Sequence, residues 1–221
     1  MRTALTFALL AILITGCGGV SGGDRPDEDA TMLLDSAPRA VHAGIYLASA
    51  RGYDEAEGVR LEVKRPGASA DAAEQLRTGR ADFAILDLAD LAAARGRGRD
   101  IVGVYGLVQP LPRLVLCVSR TTLEDRRPLV RAAIRALQRG YAQAQSEPDS
   151  AVAAIQEEAP RADRDELAAQ LDEVSPSFTA GARAPGELRE DVLRRWAARQ
   201  DPPLDVDTAF DFGQIGPVRN P

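Results

Sequence analysis

Histidine and lysine each occur once in this chain of 221 residues, and cysteine occurs twice. With His42 alone and no neighbouring cysteine pair, the nitrogen and sulfur ligand set of a zinc site is missing. Cys117 lies in "RLVLCVS", an apolar run that reads as a buried strand carrying an inert thiol. Basic residues number 27 against 33 acidic ones, a net charge of −6, and no basic cluster is free of compensating acids. Nucleic acid is therefore not an expected partner. Long apolar runs are also lacking. The stretch from Ala4 to Ile14 falls short of the about 20 residues that cross a hydrocarbon core as a helix.

What that stretch does have is the layout of a secretory signal: Arg2, a short apolar middle, and small residues before a cleavage point. Residues 1–16 are expected to be the signal peptide. Ile14-Thr15-Gly16-Cys17 resembles a bacterial lipobox, which makes Cys17 the expected lipid attachment point and mature N-terminus. Residues 17–30 have the glycine and acidic composition of a flexible tether. The protein is thus expected outside the cytoplasmic membrane, held to it as a lipoprotein. With Cys17 lipidated, no internal disulfide remains.

Residues 31–119 alternate short apolar runs with helical segments, the pattern of a mostly parallel α/β sheet with flanking helices. Strands are expected at Met32–Leu34, Val59–Val63, "ADFAIL", "DIVGVYGLV" and Leu114–Val118. The first helix carries Val41, Ile45 and Ala48 on one face and ends at Gly52. Ser69 is placed to cap a helix running to Thr78, and Asp87 to cap "LADLAAAR". Residues 120–200 form a C-terminal helical segment, with helices over 128–145, 150–159, 163–174 and 185–200. Tyr46, Tyr53 and Trp196 read as packing residues, and 201–221 as a tail. In open sheets of this kind ligands bind beyond the carboxyl ends of the strands. Loops 35–41, 64–69, 86–90 and 108–112 should meet on that rim, and His42 borders the first of them.

The stretch "APRAVHAGIYLASARGYDEAEGVRLEV" resembles the N-terminal signature of substrate-binding proteins of ABC transporters, in the branch that captures thiamine pyrimidine precursors and is related to sulfonate, nitrate and taurine binders. "GASADAAEQLRTGRADFAIL", "ARGRGRDIVGVYGLVQ" and the run opening "LVLCVSRTTLEDRRPLVRAAI" fit as well, the first three blocks in family order and spacing; "AFDFG" fits the terminal stretch. The resemblance implies a type II periplasmic binding protein, yet only "PLPR" separates Gln109 from Leu114, where such proteins carry a second lobe of on the order of 100 residues. A single lobe is expected, with its rim facing water.

The resemblance also marks the site. Pro38, His42, Ala43 and Gly44 match the motif, whereas Ser36 and Ala37 stand where an aromatic pair would be and Arg39 replaces an asparagine. The candidate ligand-binding set is Asp35, Pro38, His42, Gly67, Ser69, Asp87, Asp90 and Gln109. Expected partners are a small solute, an ABC permease and ATPase, the membrane through the lipid, and a second copy or subunit completing the cleft. No cofactor is expected. A related enzyme branch makes the pyrimidine from histidine and pyridoxal phosphate with a Schiff-base lysine and a cysteine-rich motif; only Lys64 is available here, and the motif is lacking. The alternative role is a membrane-anchored sensor or adaptor, or a transport-incompetent paralogue, docking to a permease or to a full-length binding protein.

Overall fold

Successive side chains of a strand point to opposite faces, and in this protein both faces are apolar. The computed structural model describes residues 26–67 and 71–215; the signal segment, Cys17, Ser69 and residues 216–221 lie outside them. Five strands form the centre: β1 (Glu28–Leu33), β2 (Val59–Lys64), β3 (Phe83–Asp87), β4 (Ile101–Gly106) and β5 (Leu114–Ser119). Around them lie α1 (Ala43–Ala50), α2 (Tyr53–Ala56), α3 (Ala72–Arg77), α4 (Leu88–Gly96), α5 (Arg120–Asp125), α6 (Arg127–Ser146), α7 (Pro148–Glu158), α8 (Arg164–Val174), α9 (Glu190–Ala197) and α10 (Val206–Ala209).

The described strands make one sheet in the order β2-β1-β3-β5-β4. β1 is parallel to β2 and β3, while β5 is antiparallel to both of its neighbours. Four strands therefore run one way and β5 runs against them. Met32, Leu34, Phe83, Ile85 and Leu116 face a core shared with α1, α6, α7 and α8. Leu33, Ala84, Leu86, Val115 and Cys117 face a second core built with α3, α4, α9 and α10. Burial on both sides explains why these strands read as continuous apolar runs. It also pushes the Cys117 thiol well above its ordinary value, the inert sulfur the sequence suggests.

The tightest helix contact joins α1 to α6. A Cβ on Gly140 would lie 2.0 Å from the Gly44 carbonyl oxygen, and one on Gly44 would lie 2.3 Å from Cγ of Tyr141. Next to that crossing the Tyr141 hydroxyl donates to the Val41 carbonyl at 2.8 Å.

Three expectations shift. β1 begins at Glu28, inside the stretch read as tether, because Glu28 pairs in register with Val59 and its carboxylate accepts from Arg126 Nε at 2.9 Å. The helix read over 185–200 is confined to α9, since Gly186 bridges Gly106 on the open edge of β4 and its φ of 85° is non-helical. The stretch read as tail contributes α10 and the buried Phe210, which bridges Gly103 farther along that edge. These two bridges cover an edge strand that would otherwise offer unpaired backbone groups. At the other edge, β2 is dressed with exposed Arg60, Glu62 and Lys64. β4 and β5 are joined by residues 107–113 as a hairpin, closed by Leu107 N–H donating to the Leu114 carbonyl at 3.0 Å.

Gly140→Ala must force a methyl against a backbone carbonyl that cannot rotate away, so a loss of about 3 kcal/mol is expected in chemical denaturation. Gly96→Ala, with nothing within 4 Å of the added atom, is expected to change stability by less than about 1 kcal/mol. Equal effects would refute the packing role of the α1–α6 contact.

Candidate functional site

The carboxyl ends of β1 and β3, the β4–β5 connection and the start of α3 surround a cleft of about 750 Å³. Leu34, Val41, Ile85, Val108 and Leu114 supply apolar wall, and Val174 adds to it from the end of α8. Polar lining comes from Asp35, Asp71, Asp87 and Asp90 against Arg39, Arg97 and Arg113. The meeting of four distant loops on one rim follows from the strand order, as the sheet topology requires.

Asp35, Asp87 and Asp90, three of the candidates, line this cleft. His42 does not. Its ring is fully buried, with Nδ1 accepting the Arg39 backbone N–H at 3.2 Å and Nε2 lying 2.7 Å from Asp35 Oδ1. An accepting Nδ1 leaves the proton on Nε2, so the imidazole donates to Asp35. The ring expected at the cleft lies behind it, holding a carboxylate that lines it. Arg39 grips the other Asp35 oxygen at 2.7 Å. Burial alone would raise the Asp35 carboxyl, but the hydrogen bond from His42, together with the Arg39 guanidinium, outweighs it and holds the group below its ordinary value of 3.8.

The remaining candidates divide. Pro38 is buried beneath the first loop, and Gly67 is exposed next to the lining residue Pro66. Gln109 is buried with its side-chain amide donating to the Glu187 carbonyl at 2.6 Å, which ties the β4–β5 connection to the C-terminal segment instead of facing the cleft. Ser69 lies outside the described residues. The cap of α3 is Asp71, which accepts from Glu74 N–H at 3.1 Å and pairs with Arg99. Asp87 caps α4 as the sequence indicates, accepting from Ala89 N–H at 2.8 Å. Among residues the sequence did not single out, Arg113 directly follows rim loop 108–112, while nothing local to Arg97, just past the end of α4, or to Val174 signals that it reaches this cleft.

Solved structures share this architecture. The ligand-binding component of an ABC-type import system from Staphylococcus aureus, solved with zinc bound, superposes with a TM-score of 0.67 at 8% identity over 85% of this chain and 97% of that one. The periplasmic aliphatic sulphonate-binding protein SsuA from Escherichia coli gives 0.62 at 9% identity over 87% and 95% of the two chains. The fold is that of a periplasmic binding protein. Residues 39–114 of this chain match the family model described as NMT1/THI5 like. The alkanesulfonate-binding protein SsuA from Xanthomonas axonopodis pv. citri, bound to MOPS, is similar with a TM-score of 0.57 at 10% identity over 78% of this chain and 91% of that one. Two Saccharomyces cerevisiae proteins named 4-amino-5-hydroxymethyl-2-methylpyrimidine phosphate synthase, THI5 and THI12, are each 28% identical over 78 residues, or 35% of this chain. The match spans 23% of the length of those relatives.

The Asp35 network predicts a direction with pH. The unfolded carboxyl takes up its proton near 3.8 and the folded one only at lower pH, so the contribution is complete above that value and is lost as pH falls through the folded one. In denaturant titrations the stability gap between the parent and Asp35→Asn should be widest near neutrality and narrow as the pH falls below 3.8. A gap that stays constant through the acid range would exclude Asp35 as the source.

Proposed function

We propose that this protein is the extracytoplasmic solute-binding component of an ABC importer, anchored through a lipid on Cys17 and tethered by the glycine-rich segment after it. One observation carries the reading: a cleft of small-molecule size, lined by both charge signs and apolar wall, at the strand ends of a periplasmic-binding-protein lobe. Clefts of about 300–1,000 Å³ with a few placed polar groups are the usual setting for small ligands. The match to the NMT1/THI5-like model supports a thiamine-precursor-like pyrimidine, or a related small polar solute, as the cargo.

The site is incomplete for tight capture. No Phe, Tyr or Trp among the described residues lines the cleft, so the ~1–3 kcal/mol of ring stacking available to an aromatic-lined site is missing. The described residues form a single sheet, and a ligand on one rim keeps much of its surface in water, where hydrogen bonds gain little over solvent. A permease surface, a second copy or another subunit would complete the enclosure. The Schiff-base chemistry implied by the resemblance to the enzyme branch would need a lysine at the cleft. Lys64 sits on the exposed edge of β2, paired with Glu62 at 2.8 Å, and is not part of the cleft.

Calorimetric titration of the mature chain with 4-amino-5-hydroxymethyl-2-methylpyrimidine is expected to give millimolar affinity, roughly −4 kcal/mol. Nanomolar binding by the monomer would overturn the incomplete-site reading. Crosslinking and capture of the intact lipoprotein from its own cells should recover a permease and its ATPase. Recovery of signalling proteins alone, with no permease, would favour the sensor or adaptor role suggested by the same open rim.

A further inference from the structure

The charged groups of the cleft separate into those already satisfied within the protein and those that are not. Both Asp35 oxygens are taken, by His42 and Arg39. Asp71 is spent on the α3 cap and Arg99. Asp87 gives one oxygen to the α4 cap and keeps the other. The side chains of Asp90, Arg97 and Arg113 have no hydrogen-bond or ion-pair partner among the described residues, yet all three line the cleft. Two carboxylates and two guanidiniums are thus left facing one concavity, a balanced set.

We infer that the cleft takes an ampholyte, a solute carrying an amine and a carboxylate on one apolar spine. This rests on the solute-binding reading and narrows its ligand class. The poles are set by α4. Asp90 lies in its first turn and Arg97 directly follows its last residue, seven positions and two turns on, which puts them on one face roughly 10 Å apart along the axis. Arg113 borders the acidic pole, since its carbonyl accepts the Leu88 N–H at 2.8 Å. The amine is received at Asp87 and Asp90, the carboxylate at Arg97, and Val108 and Val174 offer apolar contact to the spine. A simple cation or anion would use one pole and leave the other facing water. A neutral ring would use neither.

Calorimetric titration of the mature protein at low salt tests this with 4-aminobutyrate, 6-aminohexanoate and 8-aminooctanoate, alongside hexylamine and hexanoate. The longer amino acids are expected to bind about fivefold more tightly than either monofunctional probe, the worth of one extra exposed charge pair. Arg97→Gln should reduce their affinity to that of hexylamine and Asp90→Asn to that of hexanoate, with unchanged thermal stability in both variants. Equal binding of ampholytes and monofunctional ions, or full binding by both variants, overturns the inference. If the pyrimidine binds and none of these probes does, the ampholyte assignment falls and the solute-binding reading stands. If neither the pyrimidine nor any probe binds, both fall.

Discussion

The contact between α1 and α6 at Gly44 and Gly140 governs the rest. Only without side chains at these two positions can the helices approach closely enough for Tyr141 to reach the Val41 carbonyl. That approach seals the turn before α1 and buries His42. The buried imidazole, with Nδ1 held by the Arg39 backbone, has one direction left in which to donate, and Asp35 stands there. A packing constraint in the core is transmitted through one ring to the orientation of a carboxylate on the rim.

The rim owes its character to a division of labour among charges. Some acids serve the scaffold, capping α3 or locking the first loop, and their fields are largely spent inside the protein. Other charged groups remain free at the two ends of α4, where Asp90 near the start and Arg97 just past the end also suit the helix dipole. The exposed ends of one nine-residue helix thus define the polarity of the cleft, while the sheet beneath supplies its shape.

Much of this was legible in the sequence. Runs such as "ADFAIL" and "LVLCVS" announce strands covered on both faces, and Asp87 announces the cap of α4. The shared rim follows from the alternation of strands and helices. Three things were not legible. The motif marks His42 as important but cannot say whether the ring faces outward, because that depends on Arg39 N–H and Asp35 closing around it. The acidic stretch before β1 has a tether's composition, and only long-range pairing of Glu28 with Val59 and Arg126 makes it a strand. Val174 reaches the cleft because α8 folds back across the first loop, a contact between residues far apart in the chain with no local signature.

The β4–β5 connection has a consequence of its own. Residues 107–113 enter and leave at neighbouring points, clamped by the Leu107–Leu114 hydrogen bond, and Gly106 is held separately by Gly186. Whatever joins those points adds loop entropy that grows only slowly with length. The hairpin is therefore a natural splice junction: the chain can lengthen at this turn with little effect on the pairing of the sheet.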